Sequence, residues 1–321
     1  MSRPPHPLPL ARLPTPVMPL RRLSAALGVE VWCKRDDLTG IGLSGNKVRK
    51  LSWLLADAVA QGADTVLTTG GLQSNHCRAT AVAARQLGLD PILLLRGELP
   101  AVPEANLLLD RLLGAELHTC TPEVYRHHRN ERLAELADRV RARGGRPYVV
   151  PEGGSNGLGS LGYVEAAREL LDQQAPDFDG VFVAVGSGGT VAGLAMGLGH
   201  TRTKVVGVPV CDDRAFFAPR VEAIAHEAES WGAPPLPAEG AGWTLLEGYQ
   251  GPAYAVAEAP VWQTLAEVAR SEGLLLDPVY TGKAMHALCS EARAGRLSGR
   301  WLFWHTGGVF GLFGRGQELP A

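Results

Sequence analysis

The stretch GVFVAVGSGGTVAGLAMGLG (residues 180–199) decides how the rest of the chain is read. Its first six residues are apolar or small without alternation, which suits a strand covered on both faces. Three glycines and a serine then make a turn, and an uncharged apolar run follows that can only be a buried helix. A strand, a tight glycine turn and a helix make up the repeating unit of a parallel sheet.

Working outward, the same order recurs. Upstream, EVWCKRD (30–36) reads as a strand, and NKVRKLSWLLADAVAQG (46–62) opens a helix with Val48, Leu51, Leu54, Leu55, Ala58 and Val59 at helical spacing. TVLTT (65–69) precedes a helix through NHCRATAVAARQLG, ILLLR (92–96) a helix around Glu104 to Leu113, and ELHTC (116–120) a long charged helix, before PYVVP (147–151). Downstream, KVVGVPV (204–210) leads to a helix from about Arg214, and WLFWH (301–305) to a Gly-rich tail. AVPEA (101–105) and GAPPLPAEGAG (232–242) read as surface loops. The expected fold is α/β, with open, mostly parallel sheets and helices on both faces.

At 321 residues the chain exceeds what one hydrophobic core usually serves, so two domains are expected. Hydrophobic residues make up 45% and charged residues 20%, the composition of a compact globular protein and not of a disordered one. Lys plus Arg (31) nearly balance Asp plus Glu (33), leaving no electrostatic footprint for nucleic acid or a membrane surface. A small-molecule ligand is the expected partner. The Pro-rich start has no apolar core of signal-peptide length and no later run spans a bilayer, so a cytoplasmic location is expected. Five scattered cysteines without C-x-x-C spacing argue against disulfides and zinc, and are expected to be small buried residues. His127 and His128 belong to a solvated helix face, and no metal is expected.

The glycine-rich turns GGLQSN, GSGGT and TGGVFG all follow strands. In open α/β sheets ligands bind at that edge, where helix N-termini offer free N–H groups to anions. GSGGT (Gly186, Ser187, Gly188, Gly189, Thr190) suits a phosphate but fits neither the dinucleotide fingerprint nor the P-loop, and a plain strand-to-helix turn explains it equally well. In GGLQSNH, Ser74 and Asn75 open a helix; an N-cap is their ordinary role, a ligand contact the alternative. SGNKVRK puts Lys47 in a first helical turn, where the macrodipole disfavours a cation and promotes the neutral amine that a Schiff base requires. The competing reading is a surface lysine in a basic cluster with Arg49 and Lys50. Tyr254 in GPAY, Tyr280 in DPVYTGK and His305 are each readable as packed structural residues.

Taken in order, RLPTP, KRDDLTG, SGNKVRK, GGLQSNH, GSGGT, GPAY, DPVYTGK and HTGG resemble the family of 1-aminocyclopropane-1-carboxylate deaminase and D-cysteine desulfhydrase, over nearly the whole chain. The resemblance implies a two-domain tryptophan synthase β-like fold (fold type II). A large pyridoxal-phosphate (PLP) domain would span 1–49 and 158–321, with a small α/β domain at 50–157 and the site between them. It implies a homodimer acting on a small amino acid. Residue by residue, Lys47 corresponds to the Schiff-base lysine, GSGGT to the phosphate loop and Asn75 to the partner of the pyridine hydroxyl. Ser74 corresponds to a serine at the reacting centre or substrate carboxylate, and Tyr254 and Tyr280 to two active-site tyrosines. Ser74, Asn75, His76 and both tyrosines then form the substrate-facing set.

The cyclopropane deaminases carry Glu after the tyrosine of DPVY and Leu at the x of H-x-G-G, whereas this chain has Thr281 and Thr306, the desulfhydrase pattern. Threonines near the pyridine nitrogen would make the ring a weaker electron sink than a carboxylate would. The expected reaction is therefore β-elimination from D-cysteine to pyruvate, sulfide and ammonia. Cyclopropane deamination to 2-oxobutyrate, sulfite release from L-cysteate and a non-catalytic PLP-binding role are the alternatives. Ser44, Ser52 and the tail GGVFGLFG depart from the family pattern around the lysine turn and the pocket wall.

Overall fold

The computed structural model describes residues 3–319. Ten strands form two sheets: β1 (Val17–Pro19), β2 (Glu30–Arg35), β3 (Thr65–Gly71), β4 (Asp90–Arg96), β5 (Glu116–Cys120), β6 (Pro147–Val149), β7 (Gly180–Val185), β8 (Lys204–Pro209), β9 (Trp243–Leu245) and β10 (Arg300–His305). The larger sheet has the order β1-β2-β10-β7-β8-β9 and the smaller β5-β4-β3-β6. Every pairing is parallel except β1 with β2. The helices are α1 (Arg21–Leu27), α2 (Lys47–Ala60), α3 (Asn75–Gln86), α4 (Ala105–Leu112), α5 (Pro122–Ala142), α6 (Gly157–Asp172), α7 (Gly189–Leu198), α8 (Arg214–Glu229), α9 (Ala259–Glu272), α10 (Thr281–Arg293) and α11 (Val309–Leu312).

Alternation along the buried strands explains the layers. In the larger sheet Val181, Val183 and Val185 face α2, α6, α7 and α8, while Phe182 and Ala184 face α1, α9 and α10. In the smaller sheet Ile92 and Leu94 meet α5, and Leu93 and Leu95 meet α3 and α4. Both sheets are thus covered on both faces, which is why their strands read as near-continuous apolar runs. Helix α2 packs on both α3 and α6, so one apolar cluster runs from the smaller sheet into the larger.

Three expectations need correction. Arg49 and Lys50 form no surface cluster: they are 3% and 1% exposed. Arg49 donates to Asp36 and Glu169, and Lys50 to Ser155 Oγ at 2.8 Å. Cys33, Cys77 and Cys289 are buried as expected, but Cys120 and Cys211 are only half-buried, at strand ends. After the loop at 232–242 the sequence reading also missed β9, a three-residue edge strand too short to leave a periodic signal. Among the described residues no helix is long and apolar enough to cross a membrane.

Candidate active site

The C-terminal ends of β3 and β4 in the smaller sheet and of β7, β8 and β10 in the larger open onto one cavity of about 670 Å³. Its lining brings together Lys47, Ser74, Asn75, His76, Gly186, Ser187, Gly188, Thr190, Tyr254, Tyr280 and Thr306, residues spread over 260 positions of sequence.

Lys47 is the first residue of α2, and the turn before it is pressed against the strand end at Thr306. Asn46 N–H donates to Thr306 O at 3.0 Å. Gly45 has φ +87°, and a Cβ there would lie 2.7 Å from the same carbonyl, so only glycine fits. Burial lowers the Lys47 pKa to about 8, with Glu152 pulling the other way. The neutral amine is therefore accessible near physiological pH, but desolvation rather than helix position is its cause.

The GSGGT turn opens α7. Gly188 has φ +92°, and a Cβ on Gly186 would lie 2.8 Å from the Tyr280 ring. A Cβ on Gly189 would lie 2.8 Å from Ser155 Oγ and 3.0 Å from Lys50 Nζ. Ser155 Oγ bonds Ser187 Oγ at 2.8 Å and accepts from Gly189 N–H, so a buried lysine and a serine brace the turn from behind. Asn46 donates to Thr190 Oγ1 at 3.1 Å, linking the lysine turn to the glycine turn. The result is a glycine-rich cradle at a helix N-terminus, flanked by the Ser187 and Thr190 hydroxyls and backed by Lys50, whose polarity suits a phosphate.

Ser74 is both cap and cavity residue: its Oγ accepts from Cys77 N–H at 3.2 Å, leaving its own proton free. Asn106 donates to Asn75 Oδ1 at 3.1 Å, which turns the Asn75 amide so that its NH2 is left for a ligand oxygen. His76 is buried with Nε2 2.8 Å from Thr68 Oγ1. Because Thr68 donates its own proton to Val150 O, His76 must donate through Nε2. Burial, then Lys47 and Lys50, hold its pKa well below the usual value, so the ring is neutral. Tyr254 and Tyr280 share a hydroxyl contact of 2.6 Å. Burial pushes the Tyr254 pKa up to about 12 and that of Tyr280 well above its ordinary value, so both phenols are protonated at neutral pH. One proton is used between them and the other is available to the cavity.

Thr281 departs from expectation. Its side chain is fully buried; Oγ1 donates to Asp277 Oδ1 at 2.6 Å and accepts from Asp277 N–H, and the residue does not line the cavity. It shapes the turn that presents Tyr280. Thr306 does reach the cavity. His305 is structural, bonded to Leu275 O and Gly307 N–H. Sequence reasoning missed Asn46, Arg96, Tyr125, Arg126, Arg129, Glu152, Asp212 and Arg220, all of which line the cavity. Asn46 stood inside a quoted motif and Arg96 at the end of a quoted strand; the others lie on α5, on α8 or in the turns after β6 and β8 and look like surface residues in one dimension.

The chain matches the pyridoxal-phosphate dependent enzyme family over residues 8–307. It is 45% identical to D-cysteine desulfhydrase of Yersinia enterocolitica, over 93% of this chain and 92% of that protein. It is 41% identical to the mitochondrial bifunctional D-cysteine desulfhydrase/1-aminocyclopropane-1-carboxylate deaminase of Arabidopsis thaliana, over 99% of this chain and 82% of that protein. A solved 1-aminocyclopropane-1-carboxylate (ACC) deaminase homologue superposes with a TM-score of 0.89 at 38% identity, covering 99% of this chain and 96% of that one. A half-buried lysine whose pKa is lowered to about 8, sharing one cavity with a glycine-rich cradle at a helix N-terminus, suits that cofactor, and the chain belongs to the pyridoxal-phosphate dependent enzyme family.

Proposed function

We propose that this enzyme removes the β-substituent and the amino group of a small amino acid, with D-cysteine as substrate and pyruvate, ammonia and hydrogen sulfide as products. Water is the co-substrate, so the atoms balance. In this reading Lys47 anchors the cofactor, the GSGGT turn with Thr190 holds its phosphate and the Asn75 amide meets its ring hydroxyl. Bound there, pyridoxal phosphate supplies an electrophilic carbon for amines and a sink for the electron pair left at the substrate Cα. Lys47, once its amine is free, takes the Cα proton. Ser74 and the N–H groups opening α3 receive the substrate carboxylate. Tyr254 and Tyr280, both protonated, donate a hydrogen bond and a proton on the β-carbon side. Residues 50–157 form the smaller unit of this enzyme, a boundary supported by the four strands of the smaller sheet falling within it.

The observation that favours sulfide release is the cavity wall. Its two carboxylates are engaged: Glu152 with Tyr125 Oη at 2.6 Å and Arg129 at 3.5 Å, Asp212 with Arg126 at 3.7 Å and Cys211 at 3.2 Å. Beside the lysine turn Thr306 offers a hydroxyl and not a carboxylate. A hydroxyl does not hold a proton on a ring nitrogen, and expelling sulfide asks less of the electron sink than opening a strained carbocycle. The name of the Arabidopsis relative favours cyclopropane deamination as the second reading. Purified, PLP-loaded enzyme assayed in parallel separates the two: sulfide and pyruvate from D-cysteine are expected. Formation of 2-oxobutyrate from the cyclopropane acid with no sulfide from D-cysteine would overturn the assignment.

A further inference from the structure

Arg96 ends β4 at the cavity, on the same wall as Tyr254. Its guanidinium lies over the Tyr254 ring with 4.7 Å to the centroid and over the Tyr125 ring at 5.2 Å, so two aromatic faces fix its plane. A Cβ on Gly71, in the turn leading to Ser74, would lie 3.7 Å from both Arg96 Nη2 and Tyr254 Cε1, so the guanidinium, the tyrosine and that turn converge. The other charged groups of the cavity are accounted for. Arg129 and Arg126 take the carboxylates Glu152 and Asp212. Arg220 stacks on Phe216 at 4.8 Å, on the helix that packs against Gly188 and so beside the phosphate cradle. Among the described residues Arg96 has neither an ion pair nor a hydrogen-bonded acceptor. A cation oriented by two rings, facing a cavity with its N–H fork unspent, is a preformed anion receptor.

We infer that Arg96 binds a second negative charge on the substrate, at its β-substituent, and so selects small amino acids whose β-group is anionic. The α-carboxylate has its own donors at the Ser74 turn, which leaves the unspent fork of Arg96, beside Tyr254, for a second negative charge. Resting on the D-cysteine reading, this means that the substrate binds as its thiolate and that the protonated Tyr254–Tyr280 pair gives the sulfur one proton as the C–S bond breaks, so that the bonding pair leaves with sulfur as hydrosulfide. The charge preference itself stands apart from that substrate.

It is tested with the isosteric pair D-aspartate and D-asparagine, which lack a good leaving group, titrated into PLP-loaded enzyme and followed by the change in the bound cofactor's visible absorbance. Wild type is expected to bind D-aspartate roughly tenfold more tightly than D-asparagine, the size of one charge-assisted hydrogen bond. In Arg96→Gln the ratio falls to about one, and Arg96→Lys keeps part of it because charge remains without the fork. Equal affinities in wild type, or an unchanged ratio in Arg96→Gln with full cofactor loading, overturn the inference. A wild-type enzyme that shows the ratio but releases no sulfide from D-cysteine overturns only the substrate reading.

Discussion

Lys47 shows what one residue's neighbourhood adds to its sequence context. The motif SGNKVRK singles out the residue, but the helix dipole that its position invokes is a surface-scale effect of about 0.3–1 kcal/mol. The stronger cause is desolvation inside the cavity, with Glu152 opposing it, and neither was legible because the cavity forms only in the fold and Glu152 lies 105 positions away in no pattern. The balance makes a pH prediction. The Lys47 pKa is lowered to about 8, so the reactive amine is the minority form below that pH and the majority form above it. Stripped of cofactor and offered PLP, the protein should regain its visible absorbance at a rate that rises about tenfold per pH unit below 8 and levels off above it. Glu152→Gln removes the group that favours the ammonium form, so its midpoint should move to lower pH. A midpoint near 10 in wild type, or an upward move in Glu152→Gln, would contradict this electrostatic account.

Helix α10 and the turn before it carry the lesson at the scale of an element. The motif DPVYTGK offers two site residues, Tyr280 and Thr281, yet only the tyrosine reaches the cavity. Asp277 accepts from the backbone N–H groups of Val279, Tyr280 and Thr281, a ring of bonds that turns the chain into α10 and aims Tyr280. Sequence patterns mark that a residue matters; they do not separate a residue that touches ligand from one that holds its neighbour. Lys283 makes the same point one turn on. Fully buried, it donates to the carbonyls of Val210 at 2.9 Å, Gln250 at 2.6 Å and Ala253 at 3.3 Å, pinning the segment that delivers Tyr254. Lys283→Met fills the volume but strands three acceptors, at a cost on the order of 3 kcal/mol. The expected result is a lower melting temperature and a fall in kcat as the Tyr254–Tyr280 contact loosens, with PLP binding kept because the lysine turn and the cradle lie on other elements. Loss of cofactor binding in parallel with kcat would show that α10 holds more of the site than the tyrosines.

For the whole molecule, the parallel sheets were legible because buried strands are continuous apolar runs closed by glycine turns, and the cavity's position followed from those turns. What was not legible is how distant segments lock together. Asp36, in the KRDDLTG motif, is completely buried and accepts from Arg49 at 2.8 and 2.9 Å, Thr15 at 2.8 Å, Tyr163 at 2.6 Å and Trp304 at 2.8 Å. Glu169 completes the cluster with Arg49 and Lys34. Five stretches spanning almost the full chain therefore meet at one carboxylate, directly behind the helix that begins with Lys47. Burial raises the Asp36 pKa, but Arg49 and then the Tyr163 and Trp304 hydrogen bonds outweigh it and leave the value at about 2. A folded-state pKa below the ordinary one of 3.8 means that this group's stabilisation is full above about pH 4 and is lost as pH falls toward 2. Asp36→Asn leaves Arg49 buried without its full charge partner, and breaking such a pair costs about 3–5 kcal/mol. Urea denaturation at pH 7 should show that loss, and the gap between wild type and Asp36→Asn should narrow as the pH is lowered from 4 to 2, where wild type protonates the same carboxylate. A pH-independent gap would mean that the carboxylate's charge is not what joins these segments, and that its hydrogen bonds, which asparagine keeps only in part, hold the two halves of the chain together.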